Sequence, residues 1–179
     1  MKLVFILACI IVSDFCAAKT CSEIESRTVA HDFYSKVQEH HLFSVPTAEE
    51  QQKLKPYVTS SLYNLFSNAV LAEQKEFKRS KGKEPPLFEG HLFSGVTEGY
   101  TNFYISSAVQ GTSGSEIYVL LQYAQHFMPY YANTPGIMEW KERVEVKPEG
   151  EKCLVNNIFF SLENNNESLA NVLAGIVNP

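Results

Sequence analysis

An α+β fold is predicted for this chain, on three observations. Apolar residues recur at helical spacing as far as Phe77 and at strand spacing after Pro86. The Pro85-Pro86 pair marks the change of period, because neither residue can continue a helix. Helices and strands are therefore segregated along the chain, which argues for α+β rather than alternating α/β units. At 179 residues the length suits one domain. Hydrophobic residues at 45% and charged residues at 20% exclude a wholly disordered or collagen-like chain.

The helical half has three segments. Ser22-Glu23-Ile24-Glu25 has the form of a capping box, and Ile24, Val29, Phe33 and Val37 follow at near-helical spacing, predicting a helix over about 22–41. Thr47-Ala48-Glu49-Glu50 is a second capping box, opening a short helix that Pro56 interrupts. Thr59 or Ser60 caps a third segment with the stripe Leu62, Leu65, Phe66, Ala69, Val70 and Phe77, ending in the polar run Lys75 to Lys83.

The strand half opens with a loop rich in Gly and aromatics, Phe88 to Gly95. Phe103, Ile105, Ser107 and Val109 alternate before the turn Gln110-Gly111-Thr112-Ser113-Gly114, and Ile117, Val119, Leu121 and Tyr123 alternate after it, which is a hairpin. Trp140, Glu142, Val144 and Val146 alternate against Lys141, Arg143 and Glu145. Pro148-Glu149-Gly150 turns the chain into a last strand, Cys153 to Phe160. Asn166 is placed to cap a short terminal helix carrying Leu169, Val172, Leu173 and Ile176. The expected domain is two long helices on a curved four-stranded antiparallel sheet, with Phe33, Val37, Leu62, Phe66, Val119, Leu121, Val144 and Ile158 in one core.

Residues 1–18 read as a signal peptide. Met1-Lys2 supplies a positive start, Leu3 to Val12 is apolar but too short to cross a bilayer, and Cys16-Ala17-Ala18 is a small-residue exit. Cleavage after Ala18 leaves 19–179 as a single exported domain, periplasmic or secreted and without membrane insertion. A lipidation box at Ile6-Leu7-Ala8-Cys9 reads more weakly, because Cys9 precedes a full apolar region. Two cysteines then remain, Cys21 and Cys153, and an even pair in an oxidising compartment predicts a disulfide.

With 15 Lys and Arg against 20 Asp and Glu, the net charge of -5 disfavours nucleic-acid binding and favours a basic partner. No GxGxxG, P-loop or CxxC occurs, so no cofactor or thiol-redox chemistry is expected. His40-His41 is adjacent rather than spaced i, i+4, and His91 and His126 fall in separate loops, so no metal site is expected. His31-Asp32 is the most enzyme-like pair, yet neighbours on a helix point in different directions. Tyr100 and Tyr104 have the chemistry of an oxyanion donor, but strand tyrosines are more often sheet surface or core. Gly111 to Gly114 falls one residue short of a GxSxG elbow and joins two strands. No catalytic residue is assigned.

The segment Ala124 to Gly136 is long for a hairpin connection and carries His126, Phe127, Met128, Tyr130 and Tyr131 with no Asp, Glu, Lys or Arg. Aromatics and Met are enriched in interface cores. Two readings stand: an aromatic contact surface for a protein partner, helped by acidic surface at Glu142 and Glu145, or a loop that folds back and buries its own rings.

The succession His31-Asp32-Phe33-Tyr34, Leu54-Lys55-Pro56-Tyr57-Val58, Ser61-Leu62, the strands Trp140 to Val146 and Cys153 to Phe160, and the late Ser168-Leu169 resembles a family of small exported bacterial proteins and lipoproteins of unassigned function. The resemblance implies a cone-shaped, nuclear-transport-factor-2-like fold. In that family the last strand commonly carries Ile-Asp-Asp-Ile, whereas Val155-Asn156-Asn157-Ile158 stands here, with amides in place of carboxylates. Some exported relatives look like immunity proteins against antibacterial toxins. The resemblance therefore implies a periplasmic inhibitor or immunity protein that occludes a secreted toxin's site without chemistry of its own. The alternative is a pocket protein of the same fold, a small-ligand carrier or an isomerase- or dehydratase-like enzyme, and a third reading is a structural envelope protein.

Overall fold

The computed structural model describes residues 19–111, 114–124 and 136–178. Helix α1 is Glu23–Glu39, α2 Ala48–Leu54, α3 Ser60–Ser80 and α4 Leu169–Val177; the strands are β1 Asn102–Gln110, β2 Ser115–Ala124, β3 Ile137–Glu149 and β4 Lys152–Phe159. The architecture is α+β, with one antiparallel sheet in the order β1-β2-β3-β4.

Both capping boxes form. Ser22 and Thr47 accept the amides of Glu25 and Glu50, whose carboxylates return to the cap amides. Thr59 caps α3, and Lys81, with φ 55°, closes it in the left-handed region. Helix α1 lies across all four strands, and α3 packs on α4. The β3–β4 register shifts between Glu145 and Val146, and the β1–β2 register between Ile105 and Ser107. Each shift is an irregularity that bends a strand. The β4 edge is closed by the segment before α3, where Thr59 N–H donates to Val155 O and Val155 N–H to Tyr57 O.

The core falls on the expected faces: Phe33, Val37, Leu62, Phe66, Val119, Leu121, Val144 and Ile158 are all fully or almost fully buried in one cluster. Two expected stripe residues are not in it. Ile24 is 78% exposed, because nine residues at 100° each place it opposite Phe33 on α1. Phe77 is 66% exposed, because α3 runs past the sheet before it ends. The terminal helix is capped by Ser168 rather than by Asn166: Ser168 Oγ accepts from Asn171 N–H, and Asn157 Oδ1 accepts the amide of Ala170.

Cys21 and Cys153 form a disulfide with Cα atoms 5.6 Å apart, tying the lead-in to α1 to the start of β4. Among the described residues no helix is long and apolar enough to cross a membrane.

Candidate functional site

Glu142 sits in the middle of β3, on the same face as Val144 and Val146, and its Cα pairs with that of Val119. The alternation that buries its neighbours buries it too, and it is fully inaccessible to solvent. A carboxyl in that position requires donors, since an unpaired buried charge is strongly disfavoured. Three surround it. Gly95 N–H and Trp140 Nε1–H donate to Oε1 at 2.7 and 2.9 Å, and the Tyr34 hydroxyl donates to Oε2 at 3.3 Å. Tyr34 comes from α1, Trp140 from β3, and Gly95 from the loop between α3 and β1.

That loop covers the carboxyl and depends on two glycines. A Cβ on Gly95 would lie 2.9 Å from Phe160 Cβ, so only glycine lets the backbone approach Glu142 closely enough to donate. Gly99 has φ 77°, and a Cβ there would fall 2.2 Å from His91 Cδ2. His91 is thereby pressed among Phe43, Phe93 and Tyr100 at centroid distances of 5.5, 6.4 and 5.2 Å. Its Nδ1 is buried with no hydrogen-bond partner among the described residues. Phe103 stacks on Tyr34 at 5.5 Å, and Tyr100 meets Tyr34 edge-on at 5.6 Å while its hydroxyl donates to Tyr34 O. The result is an aromatic shell around one fully buried carboxyl, with a half-buried imidazole at its side.

Burial governs the charges in this shell. Loss of water pushes the Glu142 carboxyl from 4.5 up to about 7, against the hydrogen bonds of Gly95, Trp140, Tyr34 and Ser94, which favour the anion. The Tyr34 phenol is held well above its ordinary value, by burial first and then by the Glu142 charge. Tyr100 is raised in the same way. Burial lowers the His91 imidazole to about 4. A carboxyl that titrates near neutrality is suited to proton transfer. Here, however, both oxygens are engaged by internal donors. When protonated on Oε2, Glu142 still fits, since the Tyr34 hydroxyl can rotate and accept. Gly95 and Trp140 cannot accept, so a proton on the carboxyl falls to a hydroxyl, that of Tyr34 or Ser94.

The residues singled out from the sequence fall in different places. His31 and Asp32 are exposed, 3.4 Å apart on the surface of α1, and among the described residues no third group joins them in a catalytic arrangement. Tyr100 joins the buried shell, while Tyr104 faces solvent. Asn156 donates to Glu145 and accepts from Thr59, and Asn157 caps α4, so the paired amides of the last strand carry structural bonds. His126, Phe127, Met128, Tyr130 and Tyr131 lie outside the described residues.

One expectation is corrected. Glu142 is not acidic surface, because it shares the inward face of β3. Glu145 is half-buried on the outer face of β3. It is bound up with Lys147 at 3.0 Å and with Asn156.

No family model and no curated protein matches the chain. The reading of its function therefore rests on its own residues and on the resemblance of layout described above.

Proposed function

We propose that this chain is an exported binding protein of the nuclear-transport-factor-2-like kind, an inhibitor or immunity protein that neutralises a secreted antibacterial toxin by occluding its site. The observation that carries the binding reading is the apolar lip at the start of β3. Ile137 and Met138 are 60% and 43% exposed and, with Val96, Glu98, Tyr123 and Gly136, line an open hollow of about 350 Å³. Tyr123 and Ile137 stand near the ends of the two strands between which residues 126–131 fall in the sequence, and exposed apolar area of this kind suits an interface core. Occlusion requires shape and apolar area rather than a reacting group. The resemblance of layout supplies the class of partner, and the acidic balance suits a basic one.

The test is capture from envelope and secreted fractions by the wild-type protein and by two double variants, Tyr130→Ala/Tyr131→Ala and Ile137→Ser/Met138→Ser. One protein captured by the wild type and weakened by more than tenfold in both variants, with unchanged denaturation midpoints, is the expected result. Equal capture by all three would remove this surface from the reading. Unfolding of the tyrosine variant would mean that the rings are core.

A second reading is favoured by Glu142 and its aromatic shell, whose make-up suits a small-ligand or isomerase-like site. It ranks below the first because Gly95, Trp140 and Tyr34 already occupy the carboxyl. Perturbation of the Trp140 fluorescence by a small apolar ligand at micromolar concentration would reverse the order.

A further inference from the structure

The two edges of the sheet differ. The β4 edge is closed at Val155 by the segment before α3. Strand β1 pairs with β2 on one side, and among the described residues no strand or loop pairs with it on the other. Free edges are ordinarily blunted by charged side chains or Pro, because their unpaired backbone groups are a template for another strand. Here residues 99–115 contain no Pro, Asp, Glu, Lys, Arg or His, in a chain with 20% charged residues. The inner face is also unfinished at this edge. Ile117, Val119 and Leu121 of β2 are fully buried, whereas their β1 partners Ala108, Ile105 and Phe103 remain half-buried. On the flank of α1 nearest β1, His31 and Gln38 contact Phe103 and Thr101, and Arg27 is paired with Glu23.

The register of β1 selects what fits there. Gly111 N–H donates to Gly114 O, so Gly111 faces β2, and by alternation Gln110 and Ala108 turn their N–H and C=O to the free edge. Both lie on the inner face, opposite Ser115 and Ile117. Phe103 and Ile105, opposite Leu121 and Val119, lie on that face too. Along one strand the residues of one face present their backbone groups to the same side, so these two also point to the free edge. The register shift between Ile105 and Ser107 inserts Ser106 and makes the strand symmetric about its middle. In an antiparallel pair of two β1 strands centred between Ser106 and Ser107, Ile105 meets Ala108 and Phe103 meets Gln110, inner face with inner face and outward backbone with outward backbone. On the outer face Tyr104 meets Val109, an aromatic–β-branched pair of side chains that are 53% and 52% exposed. No like charges oppose each other, and two serines stand at the centre.

We propose that β1 is the interface of a homodimer: the β1 strands of two copies pair antiparallel about a two-fold axis between Ser106 and Ser107 and join the two sheets into one. Assembly stops at two copies, because each β1 edge is used once and each β4 edge is already closed. An extended segment of another protein would satisfy the same backbone groups, but nothing would then require β1 to match itself on both faces. The inference rests on this edge alone and does not depend on the partner proposed above.

The test is sedimentation equilibrium of the exported form. One strand pair buries little area, so a monomer–dimer equilibrium in the micromolar range is expected. Tyr104→Lys/Val109→Lys sets like charges opposite each other twice and should weaken the dimer about tenfold or more. Tyr104→Lys/Val109→Glu sets opposite charges in the same two places and should dimerise as the wild type does. Tyr104→Cys/Val109→Cys should form a disulfide-linked dimer on mild oxidation, since the Cα atoms of such a non-hydrogen-bonded pair stand about 4.5 Å apart. All these positions are exposed, and an unchanged circular dichroism spectrum checks the fold. A wild type that stays monomeric up to millimolar concentration would overturn the proposal. So would a lysine variant that dimerises normally, a Lys/Glu variant as weak as the lysine one, or a cysteine variant that gives no covalent dimer.

Discussion

Replacing Glu142 by Gln removes a charge while keeping its hydrogen bonds. The amide oxygen can accept from Gly95 N–H and Trp140 Nε1–H, and the amide nitrogen can donate to the Tyr34 hydroxyl. The carboxyl is raised from 4.5 to about 7 in the folded protein. A group whose folded pKa lies above its unfolded one favours folding fully below the unfolded value and loses that contribution as pH rises through the folded one. Burial of Glu142 thus costs nothing at pH 4 and, at about 1.4 kcal/mol per pH unit, about 3 kcal/mol by pH 8. The wild-type profile alone will not reveal this. His91, lowered to about 4 by burial, acts oppositely, contributing stability above 6.5 that is lost as pH falls toward 4. The two windows overlap, so the wild type should vary little between pH 5 and 6.5 on their account. The difference between wild type and Glu142→Gln cancels His91. Urea denaturation of both proteins at pH 4, 5, 6, 7 and 8, with the disulfide intact, should show the variant gaining on the wild type by about 3 kcal/mol from pH 4 to pH 8. A constant difference, or one running the other way, would mean that the three donors hold the carboxyl near its ordinary range and that the desolvation reasoning fails.

Three further outcomes are expected. Leu121→Ala or Phe66→Ala, each in the shared core, should cost about 2–5 kcal/mol by denaturant midpoint, whereas Tyr104→Ala on the solvent face should stay within about 0.5 kcal/mol. Reducing the Cys21–Cys153 bridge, which spans 132 residues, should lower stability by about 2–4 kcal/mol, and the unreduced protein should show no thiol reactive with alkylating agents at these two positions. Ser168→Ala should cost about 1 kcal/mol and speed amide exchange in α4, while Asn166→Ala should do neither, because Ser168 and not Asn166 caps that helix.

Much of the fold was legible in the sequence because the signals are local. A capping box needs only four residues, and both form at Ser22 and Thr47. The change from helical to strand period at Pro85-Pro86 requires no knowledge of the partner surfaces, and the alternation in β2 and β3 designates Val119, Leu121 and Val144 as core. The end of α4 was less legible. Asn166 and Ser168 are both competent caps, and the choice between them depends on where β4 and Asn157 lie.

The candidate site was legible only in part. Trp140, Glu142, Val144 and Val146 share one parity, so the sequence already assigned Glu142 to the inner face. Side-chain charge argued instead for the surface, and parity prevailed. What permits a carboxyl there comes from distant parts of the chain: a tyrosine 108 residues earlier, and a glycine 47 residues earlier whose missing Cβ admits its backbone. Sequence by itself determined the helices, the strand faces and the cysteine pair, because these follow from spacing and from chemistry carried within a few residues. Tertiary structure alone decided which donors meet Glu142, that His91 Nδ1 is buried without a partner among the described residues, and that Phe77 stands in solvent. Desolvation and hydrogen bonding are set by whatever is near in space, and no local pattern encodes those neighbours.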